Sequence, residues 1–174
     1  MFRPMRRFKQ ALSPEECRAV LERGTSGVLA LSGDGGWPYA VPLSYVYADG
    51  KIYFHSAKSG HKVDAIRSCP RASFCVIDQD QVVPEEYTTH FRSVIAFGAV
   101  RELEDEGEKR AAIEKLAAKY APEDSPENRR RAIDREWEPL CMLEMTIDHL
   151  TGKEAKELKR NSSGRRENGD KNRR

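Results

Sequence analysis

Residues 37–62, WPYAVPLSYVYADGKIYFHSAKSGHK, constrain the fold more than any other stretch of the chain. Apolar and polar residues alternate on both sides of Asp49-Gly50, and a two-residue Asp-Gly turn between such runs predicts a β-hairpin. The second strand runs into Ser56, Lys58, Ser59, Gly60, His61 and Lys62, at the mouth of a helix predicted over about 59–68. Free N–H groups and the helix dipole favour an anion at such a mouth. Two readings stand open from these residues. One is a phosphate site with hydroxyl and ammonium donors, the other an ordinary loop with a serine cap and a solvated lysine. Pro38 and Pro42 remove ladder donors and predict an edge or irregular strand. Backbone groups of Val41, Leu43 and Ser44 could there face a planar heterocycle, or nothing at all.

The rest of the chain supplies further strands and a few helices. Ser13-Pro14-Glu15-Glu16 offers a cap, a proline at the first helical position and a Glu three residues after the cap, and Gly24 stops that helix. Strands are predicted at 27–32, 37–47, 51–56, 71–78, 90–103 and 140–147, with 79–90 a loop or an irregular strand. Ala111, Ile113, Leu116, Ala117 and Tyr120 recur at helical spacing within Glu106–Tyr120, and a second charged helix is predicted over 126–136. There is no βαβ regularity. The expected class is mainly β (α+β), a six-stranded antiparallel barrel with peripheral helices, whose closure would remove exposed strand edges.

At 174 residues the chain suits one domain. Residues 159–174 hold seven basic and two acidic side chains, a net +5, so that residues 1–158 carry −3 of the formal +2. We therefore expect a folded domain over 1–158 and a basic, disordered tail over 159–174, since nothing large and apolar follows Leu158. A mildly acidic domain argues against a nucleic-acid surface. Cys17, Cys69, Cys75 and Cys141 show no CxxC spacing and read as reduced thiols. His55, His61, His90 and His149 lack metal-ligand spacing, so no metal is expected. No apolar run reaches membrane-spanning length, and a soluble, cytoplasmic protein is expected. Walker A, GxGxxG and nucleophile-elbow sequences are absent. Arg92 reads either as a ligand for a phosphate or carboxylate or as a surface ion pair, and Trp137 as a core anchor or an interface ring.

The order WPYAVPLSY, DGKIYFHSAKSGHKVDAIRSCPRASFCV and HFRSVIAFGAVRELEDEGEKRAAIEKL resembles the pyridoxamine 5′-phosphate oxidase-like superfamily of FMN-binding split barrels, on the side of its nitroimidazole-resistance flavoproteins. The resemblance covers roughly residues 10–153. It implies a six-stranded split barrel and a homodimer with FMN at the subunit interface. It places Val41, Pro42, Leu43 and Ser44 along the isoalloxazine, and His55, Ser56 and Ala57 beside the ring and ribityl chain. Lys62, helped by His61, would hold the 5′-phosphate, and Arg92 and Ser93 would approach the cofactor, from the partner subunit in one arrangement. His55 is the candidate catalytic group, as a side chain that changes charge near neutral pH.

The Arg-x-x-x-Leu-Lys and Ser-Arg-Lys signatures of true pyridoxamine phosphate oxidases are missing, with Gly60-His61-Lys62 in place of the latter. Vitamin B6 oxidation is therefore not expected. The function implied is an FMN-dependent oxidoreductase reducing a small organic or nitroaromatic acceptor, with NAD(P)H as a donor. Alternatives are a deazaflavin or haem in the same fold, a flavin-binding sensor or carrier without turnover, and a nucleic-acid contact made by the tail.

Overall fold

In the computed structural model, which describes residues 2–159, Asp49 and Gly50 both take positive φ (53° and 76°). That is the geometry of a primed two-residue turn, and it joins β3 (Val46–Ala48) to β4 (Lys51–Ala57) with Ala48 opposite Lys51. The remaining strands are β1 (Ser26–Ser32), β2 (Pro38–Ser44), β5 (Arg71–Val83), β6 (Thr88–Glu102) and β7 (Leu140–Glu154). All pair antiparallel in the order β2-β1-β5-β6-β7-β4-β3. The two outermost strands, β2 and β3, are consecutive in the chain and separated by Tyr45 alone. One bent segment thus forms both edges, and the sheet must curl into a barrel to let it. The α+β split-barrel class holds. The strand count is corrected from six to seven, because the strand expected over 37–47 breaks at Tyr45.

The break leaves the main-chain groups of Tyr45 outside any ladder, and a helix repairs them. The Tyr45 N–H donates to the Tyr120 hydroxyl at 3.0 Å, and that hydroxyl also reaches the carbonyls of Tyr45 (3.0 Å) and Thr25. The Tyr45 ring is fully buried and its own hydroxyl donates to Leu21 O at 2.8 Å. Tyr120→Phe removes the shared hydroxyl and strands a backbone donor. We expect a loss of about 1–3 kcal/mol, read as a lower urea midpoint at unchanged slope, and an unchanged midpoint would refute the repair.

Strand alternation sets the core. Leu29, Leu31, Ile52, Phe54, Phe74, Val76, Val94, Ala96, Leu143 and Met145 point inward, joined by Cys17, Val20 and Leu21 of α1 (Pro14–Arg23) and Ala65 and Ile66 of α2 (His61–Ser68). The capping box predicted for α1 is formed, with Ser13 Oγ accepting from Glu16 N–H and Glu16 accepting from Ser13 N–H. A second cluster lies outside the barrel. There Ala112 and Leu116 of α3 (Glu106–Tyr120) cover Val46, Tyr53, Leu140 and Met142. Residues 140–145 are consequently buried on both faces.

Trp137 follows α4 (Pro126–Arg135) and is half-buried against this second cluster. Lys109 Nζ and Arg110 Cζ lie 4.2 and 4.1 Å from its ring centroid, and its Nε1–H donates to Glu106 at 2.8 Å. It ties α3 to the chain after α4.

Of the two readings of 79–90, loop or irregular strand, most of the segment takes the second. Residues 79–83 and 88–91 extend β5 and β6 as a ladder of their own, with Val83 opposite Thr88. β5 and β7 also carry bulges. One leaves Asp78 unpaired in the ladder between Ile77 and Gln79; the other lies opposite Phe97/Gly98 in β7, where Asp148 is the extra residue. On the outer face, one row runs Pro42–Val28–Cys75–Ile95–Thr151 and the next Ala40–Ala30–Ser73–Phe97–His149. Ile77 beside them is 64% exposed. The described ring contact on this face comes from Phe2, stacked on His149 at 4.5 Å. No described helix is long and apolar enough to cross a membrane. Of the tail expected over 159–174, residues 160–174 lie outside the described residues.

Candidate functional site

The ladder between β3 and β4 ends at Val46 opposite Tyr53. Beyond it the chain divides like a fork. β2 swings away to pair with β1, while residues 54–57 of β4 keep β7 on one side and have no strand on the other. Edge backbone facing the fork therefore has no ladder partner. The prolines suit this edge, because a residue without an N–H is tolerated where no neighbouring strand needs the donor. Val41 and Leu43 point into the core, and Pro42 and Ser44 are exposed. On β4, Phe54 is buried in the core, His55 and Ala57 are exposed, and Ser56 is half-buried.

From the tip of β4 the chain passes through Lys58-Ser59-Gly60 into α2. Gly60 has φ 120° and ψ 166°, a region reserved for glycine. Its carbonyl accepts from the N–H groups of Val63 and Asp64 at 2.9 and 3.1 Å. No side chain caps the helix, and Ser59 is not the cap expected in the loop reading. The N–H groups of His61 and Lys62, the first two of the helix, therefore have no acceptor among the described residues.

Lys62 is half-buried, and burial holds its ammonium pKa below the ordinary value. Among the described residues it has no carboxylate or hydrogen-bond partner. Arg67, five residues on, shows the contrast, with its guanidinium bonded to Glu102 at 2.7 and 2.9 Å. The His55 ring still meets solvent, but partial desolvation first and the Lys62 charge second hold its pKa below the ordinary value. Both effects favour the neutral imidazole.

His61 is held differently. Its ring stacks on Tyr39 at 4.1 Å, and Nε2 lies 3.7 Å from Asp34 Oδ2. The stack ties the start of β2 and the β1–β2 turn to the mouth of α2. Tyr39 was not singled out in the sequence, although it shares parity with Val41 and Leu43 on an alternating strand.

Val41–Ser44, His55–Ala57, His61 and Lys62 are accordingly brought together. Within one chain Arg92 and Ser93 are not. Arg92 donates to Glu154 at 3.0 and 2.9 Å and to Asp78 at 3.3 Å. It lines a cavity of about 160 Å³ beside α1 with Leu12, Glu16, Ala19, Arg23 and Glu154. It stands ten residues along β6 from Glu102, the partner of Arg67, which is roughly 30 Å of strand. Of the two readings made from sequence, the structure shows an ion pair, and a largely buried one.

Residues 13–154 match the pyridoxamine 5′-phosphate oxidase family. The chain belongs to that family. Among curated proteins none matches. Of solved structures, a candidate 5-nitroimidazole antibiotic resistance protein from Bacteroides thetaiotaomicron superposes with TM-score 0.69 at 19% identity, over 82% of this chain and 85% of that one. An FAD-binding protein from Mesorhizobium loti does so with TM-score 0.62 at 29% identity, over 83% and 96%. A flavocytochrome from Azotobacter vinelandii gives TM-score 0.71 at 17% identity, over 87% and 72%. The first and third likenesses establish the fold.

Proposed function

We propose that the protein binds a flavin nucleotide, FMN or the FMN half of a larger flavin, with its phosphate at Lys62 and the free N–H groups of His61 and Lys62. The ring system would lie in the fork between β2 and β4, along 41–44 and beside 55–57. One observation carries this reading: among the described residues Lys62 is a half-buried ammonium without a carboxylate partner, in the first turn of a helix that no side chain caps. A buried cation of this kind is costly unless an anion arrives. The FAD-binding relative from Mesorhizobium loti, 29% identical, supports the cofactor class.

A bound flavin supplies hydride transfer, and the chain supplies binding, orientation and shelter. His55, whose neutral form is favoured, would exchange a proton with a small substrate at the open side of the fork. The activity proposed is reduction of a small organic or nitroaromatic acceptor at the expense of NAD(P)H, in a cytoplasmic homodimer. The outer face bearing Val28, Cys75, Ile77, Ile95 and Phe97, on which Phe2 also packs, is the surface a second copy would cover.

Lys62→Glu should weaken FMN binding at least tenfold, the scale of a lost charge-assisted hydrogen bond. Riboflavin, which lacks the phosphate, should lose little. Calorimetric titration of both ligands decides the matter, and FMN affinity equal to wild type in Lys62→Glu sinks the assignment. Anaerobic bleaching of the flavin bands by NAD(P)H, followed by recovery on adding a nitroaromatic, tests turnover.

A further inference from the structure

We infer that this site is built for a dinucleotide flavin, with Trp37 as the stacking platform for the adenine of FAD. The inference rests on the flavin reading above and extends it past the phosphate. Trp37 is 77% exposed, an unusual position for the largest apolar side chain. Its backbone is nevertheless pinned. Trp37 O accepts from Gly33 N–H at 2.8 Å, and Trp37 N–H donates to Asp34 O at 3.2 Å. The turn beneath it depends on glycine, with φ of 63° at Gly35 and 81° at Gly36. A Cβ built on Gly35 would lie 3.7 Å from Trp37 Cδ1, so the ring rests over a residue that has no side chain. The result is a ring on a fixed stem with an open face.

Measured contacts connect this ring to the phosphate corner. His61 follows the Gly60 cap and precedes Lys62. Its ring stacks on Tyr39, and its Nε2 lies 3.5 Å from a Cβ built on Gly33, which in turn would touch Trp37 O at 2.8 Å. A ligand leaving Lys62 along this side meets the edge of His61, then the Asp34 carboxylate (98% exposed) and then the indole. An imidazole suits a second phosphate, a carboxylate suits ribose hydroxyls or an amino group, and an indole suits a purine. FMN ends at the first of these stations.

Titration of wild type, Trp37→Phe and Trp37→Ala with FMN and with FAD tests the inference. Wild type should bind FAD at least tenfold more tightly than FMN. Trp37→Ala should erase most of that ratio, leave FMN affinity unchanged, and be largely rescued by Trp37→Phe, since base stacking is worth roughly five- to 100-fold in affinity. FMN binding as tight as FAD in wild type would overturn the adenine site and leave the flavin reading standing. Equal weakening of both ligands in Trp37→Ala would overturn it too, as a general defect. Failure of both flavins to bind wild type would overturn the two readings together.

Discussion

Arg92→Met is expected to cost about 3–5 kcal/mol of stability, the penalty of leaving a buried charge without its partner. Glu154 is 3% exposed, and a single oxygen of it accepts from both Nε and Nη2 of Arg92. Asp78 is better insured, because Arg23 grips its two oxygens at 2.6 Å each. Loss of Arg92 therefore falls mainly on Glu154. Adding Glu154→Leu to Arg92→Met should restore most of the loss, since an apolar pair of similar bulk often replaces a buried ion pair at little cost. Urea titrations of the two single variants and the double variant complete the cycle. A single variant within about 0.5 kcal/mol of wild type would show that Glu154 does not depend on this guanidinium. The result also bears on function. Flavin loss in an Arg92 variant counts as evidence for a binding role only where the variant is shown to be folded.

Gly98→Ala is expected to cost more than about 3 kcal/mol, at the upper end for an overpacked core. A Cβ at this position would stand 1.8 Å from Thr146 O and 2.9 Å from Thr146 C. Both are backbone atoms of β7 beside its bulge, where the register with β6 shifts, so relief requires the ladder itself to part. Gly152→Ala is the informative comparison. Its Cβ would meet Cys17 Sγ at 2.5 Å and Leu12 Cδ1 at 2.8 Å, side-chain atoms that can turn away. For a chain of this length the Gly98 variant should melt about 6–12 °C lower, and the Gly152 variant should fall less. Equal melting temperatures for Gly98→Ala and wild type would mean that the β6–β7 bulge is softer than its geometry implies.

Local chemistry was legible in the residues themselves. The Asp49-Gly50 turn, the Ser13/Glu16 capping box, the helix over Glu106–Tyr120 and the strand beginning at Leu140 each depend on neighbours within a few positions, and each formed as read. The helix face was less secure. Ala112, Leu116 and the aliphatic stem of Lys109 are buried in α3, whereas Ala111 was expected on the apolar side. Residues 79–90 read as a loop or an irregular strand because they are polar and contain a proline. A ribbon open to water on both faces satisfies its backbone in the ladder and needs no apolar stripe, so periodicity cannot reveal it.

The candidate site divides along the same line. Gly60, His61 and Lys62 announce a helix mouth by composition, and the run to His55 is contiguous with it. That Lys62 has no carboxylate partner among the described residues is a different kind of fact, because it depends on where the carboxylates of the fold come to rest. The fork beside it has a similar origin. Nothing in the string WPYAVPLSYVYA tells that Tyr45 ends one pairing and begins another, since the break exists only because Tyr120, 75 positions away, takes up the orphaned main-chain groups. Arg92 teaches the converse lesson. Its charge is plain in the sequence, but its partners Asp78 and Glu154 lie 14 and 62 positions off. Short-range sterics and hydrogen bonding select the elements, and long-range closure of the sheet decides which charges are neutralised and which remain to receive a ligand.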